Sequence, residues 1–156
     1  MAEPVLTAYV DGSFLPGAGR YGYGVVLLPP DGEKVTLSGS GNNPETLAIR
    51  NVGGEMLGAM HAVQWAMRNG YPQIHICYDY SGIEMWATGA WKRKNALTAK
   101  YHDYMQKCMQ VIKVTFEKVD AHTGVAYNEE ADQLAKAAIE EAARNDVSEG
   151  GTKEEA

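Results

Sequence analysis

Two cysteines stand among 156 residues, and they exclude more than they offer. Cys77 lies inside an apolar run and Cys108 in a helical pattern, so they form neither a disulfide framework nor a paired metal motif. Both are expected as buried thiols in a reducing compartment. Long hydrophobic runs are missing as well: none approaches the ~20 residues of a membrane-spanning helix. Met1-Ala2-Glu3-Pro4 also lacks the basic start of a secretion signal. The expectation is therefore a cytoplasmic protein with no membrane association. Positive charge is scarce too. Fourteen Lys and Arg against 20 Asp and Glu give a formal charge of −6 and a pI near 5.2, which argues against gripping polyanions by global electrostatics. Half of that excess is local, because the segment after Arg144 sets Asp146, Glu149, Glu154 and Glu155 against Lys153 alone. The strongest basic cluster is Lys92-Arg93-Lys94, with Lys100 nearby, and it leaves room for a local phosphate-binding surface.

What is present is enough for one folded domain with a real core, since 45% of the residues are hydrophobic and the length is too short for two ordinary domains. Residues 5–13 and 21–28 read as strands, separated by the turn Pro16-Gly17-Ala18-Gly19. After Pro29-Pro30-Asp31-Gly32, a third strand over 33–40 carries Val35 and Leu37 on one face, completing an antiparallel meander. A Gly/Asn-rich loop follows. Met56, Leu57, Met60, Val63, Trp65 and Met67 recur at helical spacing, which predicts a helix from about 53 to 69 stopped by Asn69-Gly70. Residues 73–78 form a short strand ending at Asp79. Helices are expected at 81–88, with Ser81 as its cap, and at 97–110. A last strand runs from Lys113 to Val119 and a last helix over 128–144. The order βββαβααβα predicts a five-stranded mixed α/β sheet flanked by helices (an α+β mixed arrangement) in residues 1–144, with 145–156 a polar, disordered tail. No internal repeat is visible.

Four carboxylates fall at strand ends or helix faces of this scheme: Asp11, Glu55, Asp79 and Asp132. Asp11 and Asp79 end parallel neighbours, where open sheets collect ligands, while Glu55, in the first turn of its helix, and Asp132 approach from the side. Gathering like charges ~4 Å apart costs on the order of 4 kcal/mol per pair at an effective dielectric of ~20, so the group calls for a cation. With His122-Thr123-Gly124 just before Asp132, it suggests a metal-dependent nuclease. His61, His75 and His102 have no partners in the sequence and are read as structural. The methionines at 56, 60 and 67 are read as packing, and Trp86 as core.

The combination Asp11-Gly12-Ser13, Arg50-Asn51-Val52-Gly53-Gly54-Glu55, Asp79 and His122-Thr123-Gly124, continuing to Asn128-Glu129 and Ala131-Asp132, resembles type 1 ribonuclease H over nearly all of residues 5–140. The stretch from Tyr78 to Lys92 is similar to a bacterial branch often fused to a viroplasmin-like hybrid-binding module, which is not expected here. The resemblance implies a ribonuclease H-like fold and an endonuclease that hydrolyses the RNA strand of RNA:DNA hybrids, leaving 5′-phosphate and 3′-hydroxyl ends. It further implies two Mg²⁺ ions, or Mn²⁺ in their place, held by Asp11, Glu55, Asp79 and Asp132, with His122 as a mobile proton carrier. Ser13, Asn51, Asn128 and Glu129 are implied as contacts to the RNA strand or scissile phosphate. Trp91, Lys92, Arg93 and Lys94 are the candidates for holding the DNA strand, and a monomer is implied. Tyr80 departs from the serine of many relatives, Gly53-Gly54 from a more polar stretch, and Lys92–Lys94 is a shortened basic protrusion. Together with the expected absence of the hybrid-binding module, these departures predict weaker, more salt-sensitive binding or lower processivity. The rival readings are a non-catalytic hybrid-binding module and another nuclease or strand transferase on the same fold.

Overall fold

In the computed structural model, residues 4–119 and 126–155 are described. Five strands, β1 (Val5–Leu15), β2 (Arg20–Leu28), β3 (Val35–Gly41), β4 (Gln73–Tyr78) and β5 (Lys113–Lys118), build one sheet in the order β3-β2-β1-β4-β5. The pairs β1–β2 and β2–β3 are antiparallel, and β1–β4 and β4–β5 are parallel. The expected mixed sheet is thus the observed one. Among the described residues, no helix is long and apolar enough to cross a membrane.

The core lies on one face of this sheet. Leu6, Ala8 and Val10 of β1 and Ile74 and Ile76 of β4 are completely buried, each alternate residue pointing the same way as strand geometry dictates. Against them pack α2 (Arg50–Arg68), α3 (Gly82–Thr88) and α4 (Ala96–Met109), which contribute Met56, Val63, Ile83, Trp86, Tyr101 and Met105. Each such side chain stabilises by about 1.5–3 kcal/mol relative to exposure. The methionines at 56 and 60 and Trp86 are packing residues, as expected, and both thiols are buried. On the other face, α5 (Ala126–Glu155) lies over β1, β2 and β3 through Ala131, Ala135 and Ile139.

Two glycines set how closely the helices approach. A Cβ on Gly12 would fall on the Asn51 carbonyl and the Glu55 amide nitrogen, and one on Gly24 on the Ala131 carbonyl. The backbones of α2 and α5 therefore rest directly on β1 and β2, a separation no other residue permits.

Several boundaries differ from the expected ones. A short helix, α1 (Pro44–Leu47), forms in the expected loop, because the Asn43 side chain accepts from the Glu45 amide and Pro44 occupies the first turn. The next helix begins at Arg50 rather than 53, with Arg50 itself in the left-handed region (φ 55°), so Glu55 sits in its second turn, not its first. Ser81 precedes α3 without a side-chain capping bond. Asn95 does cap α4, sharing a reciprocal box with Thr98 that periodicity alone does not reveal. The last helix continues through Glu155 rather than ending at 144: no proline interrupts the backbone there, and the Gly150-Gly151 pair costs only about 1 kcal/mol per residue.

Replacing Gly24 with Ala should destabilise the protein by at least about 2 kcal/mol through forced separation of α5 from the sheet, lowering the thermal midpoint by about 4–8 °C. Gly17→Ala, with open space around it, should stay within about 0.5 kcal/mol. Thermal unfolding followed by circular dichroism compares the two, and equal midpoints would refute the close-approach argument.

Candidate active site

Asp11 does not end its strand, as the sequence reading has it, but sits mid-way along β1, paired with Gly24 of β2. What ends beside it is the parallel pairing with β4, whose last partners are Tyr9 and Cys77. Two further residues along that register bring Asp11 level with Asp79, directly after β4, and the period of two puts both side chains on one face. The close approach at Gly12 carries Glu55 to the same point from α2. Its Oε2 accepts the backbone amides of Asp79 (2.7 Å) and Tyr80 (3.3 Å). Through the contact at Gly24, α5 brings Asp132, adjacent to Ala131, against Asp11.

The four expected carboxylates therefore converge, and the ionisation of Asp11 and Glu55 records the crowding. The Asp11 carboxyl is pushed up to about 7, chiefly by burial and further by the charges of Asp132 and Asp79, although the Gly12 amide donating to its Oδ1 (2.9 Å) opposes the rise. Burial, with added repulsion from Asp11 and Asp79, holds the 2% exposed Glu55 well above the usual carboxylate range despite its two amide donors. One cation faces the group from α5: Lys136, one turn after Asp132, pairs with Asp132 Oδ2 at 2.9 Å.

Beside these carboxylates opens a cleft of about 640 Å³ lined by Gly12, Ser13, Phe14, Pro16, Arg50, Asn51, Asp132 and Lys136. Ser13 and Asn51 are thus brought together with the acidic group. Lys136 and Arg50 are cleft residues that the sequence reading missed. The signal for Lys136 was its four-residue spacing from Asp132 on a helix, while Arg50 stood inside the quoted motif without a role. Asn128, in the first turn of α5, is buried with its Oδ1 unpartnered among the described residues. Glu129 is exposed on the same turn and does not line the cleft. His122 lies outside the described residues.

The second cluster is separate. Tyr80, Ala90, Trp91, Lys92, Arg93 and Lys94 line an open depression of about 470 Å³. The 39% exposed Trp91 ring stands edge-on to Trp86 and to Tyr80, at centroid separations of 5.5 and 6.1 Å. Trp86 Nε1–H donates to the Lys92 carbonyl (3.2 Å), anchoring the basic loop on a core residue. Tyr80 belongs to both places, its amide serving Glu55 and its ring forming part of the aromatic wall.

A carboxylate cluster built around the buried Asp11 and Glu55, whose proton affinity burial and neighbouring charge raise, with hard oxygen donors and an open cleft alongside, fits divalent cations of the Mg²⁺ type. It defines a metal-dependent acid-cluster site on a mixed α/β sheet. Residues 3–140 match the RNase H family. The chain is 31% identical over 147 residues to a ribonuclease H of Cereibacter sphaeroides, covering 87% of this chain and 95% of that one. Its fold is similar to that of ribonuclease H1 from Halobacterium salinarum (TM-score 0.72, 23% identity, 88% and 98% of the two chains). It is similar also to that of LC11-RNase H1, solved in complex with an RNA/DNA hybrid (TM-score 0.71, 19% identity, 88% and 98%). The chain belongs to the ribonuclease H family, whose members are metal-dependent enzymes.

The raised Asp11 pKa gives a stability test in chelator. A carboxyl at about 7 when folded and ~3.9 when unfolded holds its proton more tightly in the folded chain. Its contribution is present below ~4 and lost as pH rises through about 7. The wild-type thermal midpoint should therefore fall relative to that of Asp11→Asn between pH 4 and 7, and millimolar Mg²⁺ should raise it more at pH 8 than at pH 5. Parallel pH profiles for the two proteins would contradict this reading.

Proposed function

We propose that the chain is an endonuclease that hydrolyses the RNA strand of RNA:DNA hybrids, with Asp11, Glu55, Asp79 and Asp132 holding two divalent ions, Mg²⁺ or Mn²⁺. The single observation that carries the proposal is the convergence of these four carboxylates beside the cleft containing Ser13 and Asn51. Two such ions would make a bound water nucleophilic near neutral pH and stabilise the leaving 3′-oxygen, giving 5′-phosphate and 3′-hydroxyl ends.

The residues of the chain prepare that chemistry. The amides of Asp79 and Tyr80 fix the Glu55 carboxylate, so its second oxygen is left for a ligand. Burial of Asp11 and Glu55 keeps water from screening their charge, which strengthens their hold on a cation. The Lys136 ammonium pairs with Asp132 and would be free to turn to a phosphate oxygen were Asp132 to hold a metal ion. His122 serves as the proton carrier before or after bond cleavage.

Ser13 and Asn51 contact the RNA strand from the cleft, where the 2′-hydroxyl separates RNA from DNA. The unpartnered amide oxygen of Asn128 and the exposed Glu129 serve the neighbourhood of the scissile phosphate. The DNA strand lies along Trp91, Lys92, Arg93 and Lys94, by ring contact with sugar and charge contact with phosphate. This local basic surface offsets the net negative charge of the protein where the hybrid binds.

The test is cleavage of an end-labelled RNA:DNA hybrid beside RNA duplex, DNA duplex and single-stranded RNA, with Mg²⁺, Mn²⁺ or EDTA. Metal-dependent internal cuts confined to the RNA strand of the hybrid are expected. Asp79→Asn should abolish them without unfolding the chain, and activity retained at millimolar Mg²⁺ would sink the four-carboxylate assignment. His122→Ala should slow turnover within the ~10²–10⁴-fold range of lost acid–base assistance, without eliminating it.

For the DNA-strand surface the measurement is hybrid binding against salt. Joint replacement of Lys92, Arg93 and Lys94 by Ala should reduce the slope of log K against log salt by about one unit per lost phosphate contact. An unchanged slope would remove the loop from the interface.

A further inference from the structure

The sheet face opposite the core is covered by α5 over β1, β2 and β3. Among the described residues, no packed helix lies over β4 and β5 on this side. There His75 and Cys77, two apart on β4, stand opposite Thr115 and Glu117 of β5 in the parallel register. One ligand atom from each of His75, Cys77 and Glu117 lies within 4.8 Å of the other two. We propose that these three side chains form a second metal site, separate from the carboxylate cluster and selective for a borderline or soft divalent ion of the Zn²⁺ type.

The donor set points to that class of ion. A thiolate, an imidazole and one carboxylate bind Zn²⁺ or Co²⁺ far better than Mg²⁺, which prefers oxygen donors alone. The charges close as well, since one thiolate and one carboxylate neutralise a divalent ion. This lets the ion sit against a sulfur that is almost wholly buried, Cys77 being 3% exposed. The side chains of His75 and Glu117, 28% and 61% exposed, form the open side from which the ion enters, and water completes a tetrahedron.

Neighbouring groups are arranged as outer partners of a metal. Thr115 Oγ1–H donates toward the Ile74 carbonyl (3.5 Å), and its oxygen lies 2.7 Å from His75 Nδ1. With Nδ1–H donating to that oxygen, the Nε2 lone pair would be directed at an ion shared with the Glu117 carboxylate oxygen, which lies 2.9 Å away. The Tyr9 hydroxyl stands in hydrogen-bond reach of the Cys77 sulfur, as a donor that would steady a bound thiolate. Because Asp79 follows Cys77 by two residues, directly after β4, an ion here ties β4 to β5 immediately before the acidic site.

The experiment is a Co²⁺ titration of the full chain under saturating Mg²⁺, which keeps the carboxylates occupied. One equivalent is expected, with a thiolate-to-cobalt charge-transfer band and tetrahedral visible bands that Zn²⁺ displaces. Cys77→Ser should lose the charge-transfer band, and His75→Gln and Glu117→Gln should each weaken binding at least tenfold. Cys108→Ala and Asp132→Asn should leave all bands in place. If the buried Cys77→Ser chain does not fold, the two more exposed substitutions decide. The proposal is overturned by a folded wild type that shows no band up to millimolar Co²⁺, leaving an ordinary His–Glu ion pair. It is overturned equally by bands that survive His75→Gln and Glu117→Gln, or that vanish in Cys108→Ala. None of these outcomes depends on hybrid cleavage.

Discussion

Backbone contact between helix and sheet at two glycines is the constraint from which the acidic site follows. Gly12 stands next to Asp11 and accepts the turn of α2 that carries Glu55. Gly24, across the ladder from Asp11, accepts the turn of α5 that carries Ala131 and Asp132. Ordinary helix–sheet packing keeps side chains between the two layers. Here the layers touch, and short Asp side chains on different elements meet without reaching. On α2, Gly54 meets the Gly22 carbonyl of β2 in the same close fit, while Gly53 lies against Thr46 of α1. The poor helix propensity of these glycines, up to ~1 kcal/mol each, is outweighed by packing on β1, β2 and α1.

That fit stores electrostatic work. Two of the four carboxyls, Asp11 and Glu55, are driven toward protonation by burial first and by their neighbours second. Amide donors from Gly12, Asp79 and Tyr80 hold them in place without removing the repulsion. Divalent cations relieve both causes at once, so the same geometry that weakens the metal-free fold creates the binding energy of the ions. The Lys136–Asp132 pair is the partial, monovalent form of the same compensation.

The acidic composition and a polyanionic ligand are compatible because charge acts locally within a Debye length of ~8 Å at physiological salt. Lys92, Arg93 and Lys94 hang on a loop fastened by the Trp86 indole, whose ring also packs against Tyr80 and Trp91. A buried tryptophan thus positions an exposed basic and aromatic surface. The tyrosine at position 80, which looks like a substitution of uncertain effect in the sequence, becomes the link between this surface and the Glu55 carboxylate.

By itself the sequence determined the strand and helix order, the mixed sheet and the four carboxylates, because those depend on local periodicity and on motifs whose residues lie close along the chain. Tertiary structure decided how the carboxylates meet. Asp11 is mid-strand and Glu55 a turn deeper than periodicity implies, since a pairing that ends on one side of a strand while continuing on the other leaves no mark in a single chain segment. Only the folded chain places Lys136 and Arg50 in the cleft. It also gives His75 its partners Thr115 and Glu117, some 40 residues away along the chain. Contacts of that range are set by parallel register and by the closeness of helix to sheet, which are properties of the assembled layers rather than of any segment.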